Sequence, residues 1–163
     1  MEVNKIRWRL FSFCLLFPYF INANTLTLDL TGVIETHCEI DFFNGNRLDI
    51  KDKTINEIPF HLNCNQPFEI SFTSANGGLI NHDNSDVFHK YHFEIDIDKV
   101  NIKKKVISSD LDKFYKLDSS GKVPFFSTGK IRITPESDLI FSGYYQDIVH
   151  VGISPSLNNV PTL

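Results

Sequence analysis

The stretch Tyr91-His92-Phe93-Glu94-Ile95-Asp96-Ile97-Asp98 places an apolar residue at every odd position and a polar or charged one at every even position. A period of two marks a β-strand with one face on a core and the other in water, because successive strand side chains point to opposite faces. A helix does not present this pattern as an apolar stripe, since its same-face neighbours recur every three or four residues. Phe68-Glu69-Ile70-Ser71-Phe72-Thr73 repeats the alternation and runs into Asn76-Gly77-Gly78, residues that tolerate positive φ and close turns. Further strands are predicted over Lys130-Ile131-Arg132-Ile133-Thr134, stopped by Pro135, and from Tyr145 through Val149, Val151 and Ile153 to Pro155. Ile58-Pro59-Phe60-His61-Leu62-Asn63-Cys64 supplies another, assigned to a sheet edge because proline lacks the N–H that a ladder uses. The one helix-like piece is residues 109–117, where Leu111, Phe114, Tyr115 and Leu117 fit a short turn pattern. Short strands separated by turn signals predict an all-β sandwich.

With 163 residues, the chain has the length of one domain, and 22% charged residues with 42% hydrophobic ones exclude a disordered or fibrous protein. Fifteen phenylalanines against one tryptophan indicate an interior built from Phe, Ile, Leu and Val. A formal charge of −4 gives no electrostatic reason to expect nucleic acid as a partner.

Residues 1–23 carry the order of a secretory signal: Lys5, Arg7 and Arg9, then the uncharged run Leu10 to Ile21, then Asn22 and Ala23. The run falls well short of the roughly 20 residues that span a bilayer. Cleavage after Ala23 is therefore expected, with export and no stable membrane insertion afterwards. Cys14 leaves with the signal, so Cys38 and Cys64 remain as an even pair in an exported chain, which predicts a disulfide. In the chain-entropy description such a cross-link stabilises by roughly 3 to 4 kcal/mol.

Directly after the predicted cleavage point, Asn24-Thr25-Leu26-Thr27-Leu28-Asp29-Leu30-Thr31-Gly32-Val33-Ile34 sets Leu26, Leu28 and Leu30 on one face. Each leucine is worth about 1.5 to 3 kcal/mol when fully buried, so the three need a groove to enter. Either they form the first strand of a self-complete sandwich, or the strand is donated to another molecule.

The order of this N-terminus, Thr31-Gly32, Cys38, Leu48-Asp49-Ile50, Leu62-Asn63-Cys64, Phe68 to Ser74, Asn76-Gly77-Gly78 and the closing Ser142-Gly143-Tyr144-Tyr145-Gln146-Asp147 to Ile153 resembles the spore-coat-protein-U-type domain of archaic chaperone–usher pilus subunits. The likeness spans the chain from residue 24 onward, and its most specific parts are the two-cysteine frame and the final Gly-Tyr-x-x-Asp segment. It implies an immunoglobulin-like sandwich that lacks its last strand. It further implies a periplasmic chaperone that fills the gap first and an outer-membrane usher where the next subunit's N-terminal extension replaces it. Carried over, Leu26, Leu28 and Leu30 are donor side chains in an extension of residues 24–33, and Cys38 with Cys64 is the family disulfide. Tyr145, Val149, Val151 and Ile153 form the last strand bordering the groove of a domain over residues 34–155. Residues 156–163 are a tail that family members commonly lack. The expected partners are neighbouring subunits, chaperone and usher, and the expected location is the periplasm and then a surface fimbria. The competing expectation is a self-complete secreted sandwich that binds carbohydrate or a host surface.

No catalytic or cofactor chemistry is expected. His82, His89 and His92 cluster in sequence, but positions 89 and 92 have opposite parity on a strand and point to opposite faces. Asp83, Asp86, Asp96 and Asp98 lack the spacing of a calcium loop and read as a solvated face. There is no Gly-x-Ser-x-Gly elbow, and nothing places Asp110 and Asp112 in a cleft. Lys103-Lys104-Lys105 reads as solvent-facing charge on a turn.

Overall fold

A computed structural model describes residues 26–43, 45–50 and 54–156. The chain divides into two units, Met1–Val33 and Ile34–Leu163. In the first, described residues 26–33 form no strand. The signal segment, Asn24 and Thr25 lie outside the described residues, as does the tail from Leu157.

The second unit is an all-β sandwich. Its larger sheet contains β1 (Cys38–Phe42), β2 (Asn56–Cys64), β9 (Phe125–Pro135), β6 (Tyr91–Ile97) and β7 (Ile102–Ile107), in that spatial order. The facing layer orders β11 (Val149–Pro155), β3 (Phe68–Ser74) and β8 (Tyr115–Asp118). A small third sheet orders β10 (Tyr145–Gln146), β4 (Leu79–Asn81) and β5 (Phe88–His89). Every paired strand runs antiparallel to its neighbour. Two short 3-10 helices, Asp98–Val100 and Ser108–Leu111, complete the described elements.

The alternation in the sequence becomes the core. In β3 and β6 every second residue is buried, and Phe72 meets Phe93 between the layers with ring centroids 4.9 Å apart. In β2 and β9, Phe60 stands opposite Gly129, where an added Cβ would fall 2.3 Å from the Phe60 ring. The glycine makes room for a fully buried aromatic that any larger residue would displace.

Four expectations need correction. The Ile58–Cys64 strand is interior, because β2 pairs with β1 on one side and β9 on the other. Pro59 is tolerated because it lies one residue beyond the end of the β1 register. Its carbonyl, which accepts from Phe43 N at 3.4 Å, shows that the missing N–H also points to that side and not to β9. Residues 109–117 do not make a helix: the 3-10 turn ends at Leu111, and Tyr115 and Leu117 belong to β8, whose ladder with β3 outweighs a weak local pattern. Lys103, Lys104 and Lys105 sit on edge strand β7 and not on a turn. The segment from Tyr145 to Pro155 is two strands in different sheets, β10 and β11, broken at Asp147 and Ile148.

Candidate strand-binding cleft

Two edge strands of the sandwich, one from each main sheet, approach one another with inward residues that are incompletely covered. Cys38, Ile40 and Phe42 of β1 and Val149, Val151 and Ile153 of β11 face the core yet are only half-buried. Each of these strands has one hydrogen-bonded neighbour among the described residues, β2 and β3 respectively. Their Cα atoms approach within 8 Å without forming a ladder. A cleft of about 980 Å³ opens beside them, walled by Phe42, Leu48, Ile50, Val149 and Val151, with Tyr91, Phe93, Ile131 and Ile133 reaching it from the core. Leu48 and Ile50 continue the inward alternation after β1 and extend its wall.

The end of the cleft is shaped by Asp147. Its carboxylate accepts hydrogen bonds from Tyr91 Oη at 2.7 Å, Ser74 Oγ at 2.6 Å, Asn76 N at 3.1 Å and Ile148 N at 2.8 Å. Ser74 Oγ in turn accepts from Gly77 N at 2.7 Å. One side chain thus ties the β3–β4 turn, β6 and the start of β11 together, and this pull breaks the segment after Gln146. Burial, and then the hydrogen bond to Asp147, push the Tyr91 phenol well above its ordinary pKa. On the other side of the break, Gly143 has φ 137° and an added Cβ would fall 2.5 Å from the Asn81 amide, so the loop leading to β10 closes onto β4 only through glycine.

Tyr145, expected on the last strand, is on β10 opposite Asn81; its hydroxyl donates to Phe141 O at 2.9 Å, and it still lines the cleft. Val149 and Val151 line the cleft from β11, whereas Ile153 lies beyond it on the same face. Cys38 and Cys64 form a disulfide between register partners of β1 and β2, so the cross-link fastens the β1 wall to the interior of its sheet. Leu26, Leu28 and Leu30 are 92%, 74% and 82% exposed, in a described segment that forms no strand.

The three histidines diverge: His82 meets Gln146 at 2.7 Å, His89 meets Ser137 at 2.8 Å, and His92 lies 3.8 Å from Glu136. Asp96 is not simply solvated, since Arg132 gathers Glu57, Glu94 and Asp96 at 2.9, 2.6 and 3.7 Å on the outer face of the larger sheet. Asp83, Asp86, Asp110 and Asp112 are exposed. The Asp147 hub and the Leu48–Ile50 wall went unread in the sequence as parts of a site. Both lie in segments that carry the resemblance, Leu48-Asp49-Ile50 and the final Gly-Tyr-x-x-Asp, but neither segment marks by itself which side chains line a cleft.

No protein-family model matches this chain, and no curated protein matches it.

Proposed function

We propose that the protein is a structural subunit of a bacterial surface pilus, exported and assembled through the chaperone–usher pathway by donor-strand exchange. The observation that carries this reading is the cleft beside two edge strands, β1 and β11, whose inward apolar residues are half covered. A strand laid along β11 would take up its free N–H and C=O groups and cover Val149 and Val151. The same chain carries a matching donor in Leu26, Leu28 and Leu30, exposed side chains on one strand face with nothing polar between them on that face. A strand between two others sets its flanks about 9.6 Å apart, twice the usual spacing. Uptake therefore requires β1 and β11 to part where they now lie within 8 Å.

An unpaired apolar edge is a template for aggregation, which supplies the physical need for a chaperone before assembly. The disulfide fits the oxidising compartment that this route crosses. The test is thermal unfolding of the chain beside a variant in which residues 24–33 are moved to the C-terminus through a short flexible linker. A donated strand becomes intramolecular in that variant, so it melts well above an associating parent and is monomeric. A parent that is already a stable monomer, and is destabilised by the move, refutes the assignment.

A further inference from the structure

The two ends of β9 present exposed aromatic residues of quite different surroundings. At its start, Phe125 and Phe126 are 61% and 75% exposed, and Phe125 is held at φ 51°, a left-handed conformation unusual for a bulky side chain. Lys99 donates its Nζ to Phe126 O, and Lys122 donates to the carbonyl of Val100, the residue after Lys99, at 3.2 Å, so one ammonium group lies on the pair and a second is held next to Lys99. An 11-residue strand carries the chain about 35 Å, so the far end of β9 is a separate pole. There the loops after β9 and β4 bring out Phe141 and Tyr144, which are 56% and 52% exposed, with Asp83 and Asp86 exposed alongside. His82 N donates to Tyr144 O at 2.8 Å and fixes the acidic loop to the aromatic one.

The root of the N-terminal segment is at the first pole. His37 N donates to Asn65 Oδ1 at 2.9 Å, Asn65 Nδ2 donates to Glu35 O at 2.7 Å, and Asn65 follows Cys64, the register partner of Phe125. The open part of the cleft is at the second pole, where Phe141 and Tyr144 line it, while Cys38, Ile40 and Ile153 do not. Because Glu35 and His37 are already tied to the body, almost no slack chain separates a donated strand from the molecule that donates it.

We propose that head-to-tail neighbours, besides exchanging a strand, dock directly through these poles: Phe125 and Phe126 with Lys99 and Lys122 of one copy against Phe141 and Tyr144 with Asp83 and Asp86 of a second copy. The inference rests on the strand-donation reading and adds to it a partner, a second copy of this chain, and a surface. Apolar side chains meet at the centre and opposite charges at the rim, the arrangement of a specific protein contact. The contact is heterologous, so it continues along a fibre and does not close into a dimer.

The test measures light scattering of the purified chain over a dilution series. In parallel, it measures binding of a labelled peptide of residues 24–34 to the Leu28→Asp chain, whose own strand is disabled and whose cleft is intact. Phe125→Gly with Phe126→Ser weakens self-association at least tenfold; glycine also suits the left-handed position, so folding is kept. Lys99→Glu with Lys122→Glu weakens it several-fold, and adding Asp83→Lys with Asp86→Lys to that variant restores it. Wild-type association in both the aromatic and the lysine variants, with the peptide still bound, overturns the pole contact and leaves strand donation standing. A peptide that does not bind the Leu28→Asp chain overturns strand donation and the pole contact with it.

Discussion

Edge strand β7 and edge strands β1 and β11 border the same core, and they treat an unpaired backbone in opposite ways. β7 carries Lys103, Lys104 and Lys105, with Lys103 and Lys105 opposite Asp96 and Glu94 of β6. Lys104 stands opposite buried Ile95 and so projects charge on the inner face of the edge. That lysine row blocks a further strand, since adding one would bring ammonium groups against its backbone and strip them of water. β1 and β11 instead turn Phe42, Val149 and Val151 toward a cleft and put no charge on that face. One molecule thus puts charge along one edge and leaves half-covered apolar residues along two others, the contrast on which the proposed strand uptake rests.

Altering the receptive edges is expected to have the largest effect. Val151→Lys, which transplants the β7 device onto β11, and Leu28→Asp, which charges the proposed donor, each suppress self-association by more than about 100-fold in light scattering, because an unpaired charge pressed between the apolar side chains of the two strands is expelled. Association at the wild-type concentration in both variants would end the claim that the cleft takes a strand.

Next comes the fastening of the β1 wall. Replacing Cys38 and Cys64 by alanine costs about 3 to 4 kcal/mol in denaturant unfolding, from the loop of 26 residues' separation that the bond closes. Hydrogen exchange is expected to localise the added opening to β1.

A smaller and more pointed contrast lies between cross-strand partners Ile70, which is fully buried, and Ile153, which is half-buried. Ile70→Ala costs about 3 kcal/mol in the monomer and Ile153→Ala about 1 kcal/mol, in proportion to the apolar area each keeps from water. The difference narrows in assembled material if a strand covers β11. Equal costs in the monomer would show that β11 is already covered.

The smallest expected effect concerns pH. Folding raises the Tyr91 pKa, so the unfolded chain releases this proton first, and stability present below about pH 10 falls by about 1.4 kcal/mol per unit above it. Tyr91→Phe removes that part of the alkaline slope, measured as the pH dependence of the denaturation midpoint. An unchanged slope would place the tyrosine outside the buried Asp147 network.

Local pattern made much of this legible in the residues alone. Strict alternation over Tyr91–Ile97 and Phe68–Ser74 requires strands in any context, because no other regular structure buries every second residue. The pairing of Cys38 with Cys64, and the surplus of apolar surface in Leu26, Leu28 and Leu30, likewise follow from residue type and parity. Where the reading of the residues failed, the deciding interaction was distant in sequence. Pro59 looked like an edge residue until the short β1 ended one residue before it. The Tyr145–Pro155 segment looked continuous because nothing nearby announces that Asp147 is held by Ser74 and Tyr91.

The all-β class, the inward faces of the strands over Tyr91–Ile97 and Phe68–Ser74, the disulfide and an apolar N-terminal segment are therefore properties of the amino-acid order alone, since each depends on neighbours a few positions away or on residue chemistry. Which strands are interior, that β1 and β11 approach beside a cleft, and that the aromatic groups of β9's two ends lie at opposite poles became visible only in the folded chain. Those outcomes depend on which ladders form between segments tens of residues apart, and period-two alternation is the same whether a strand has one neighbour or two.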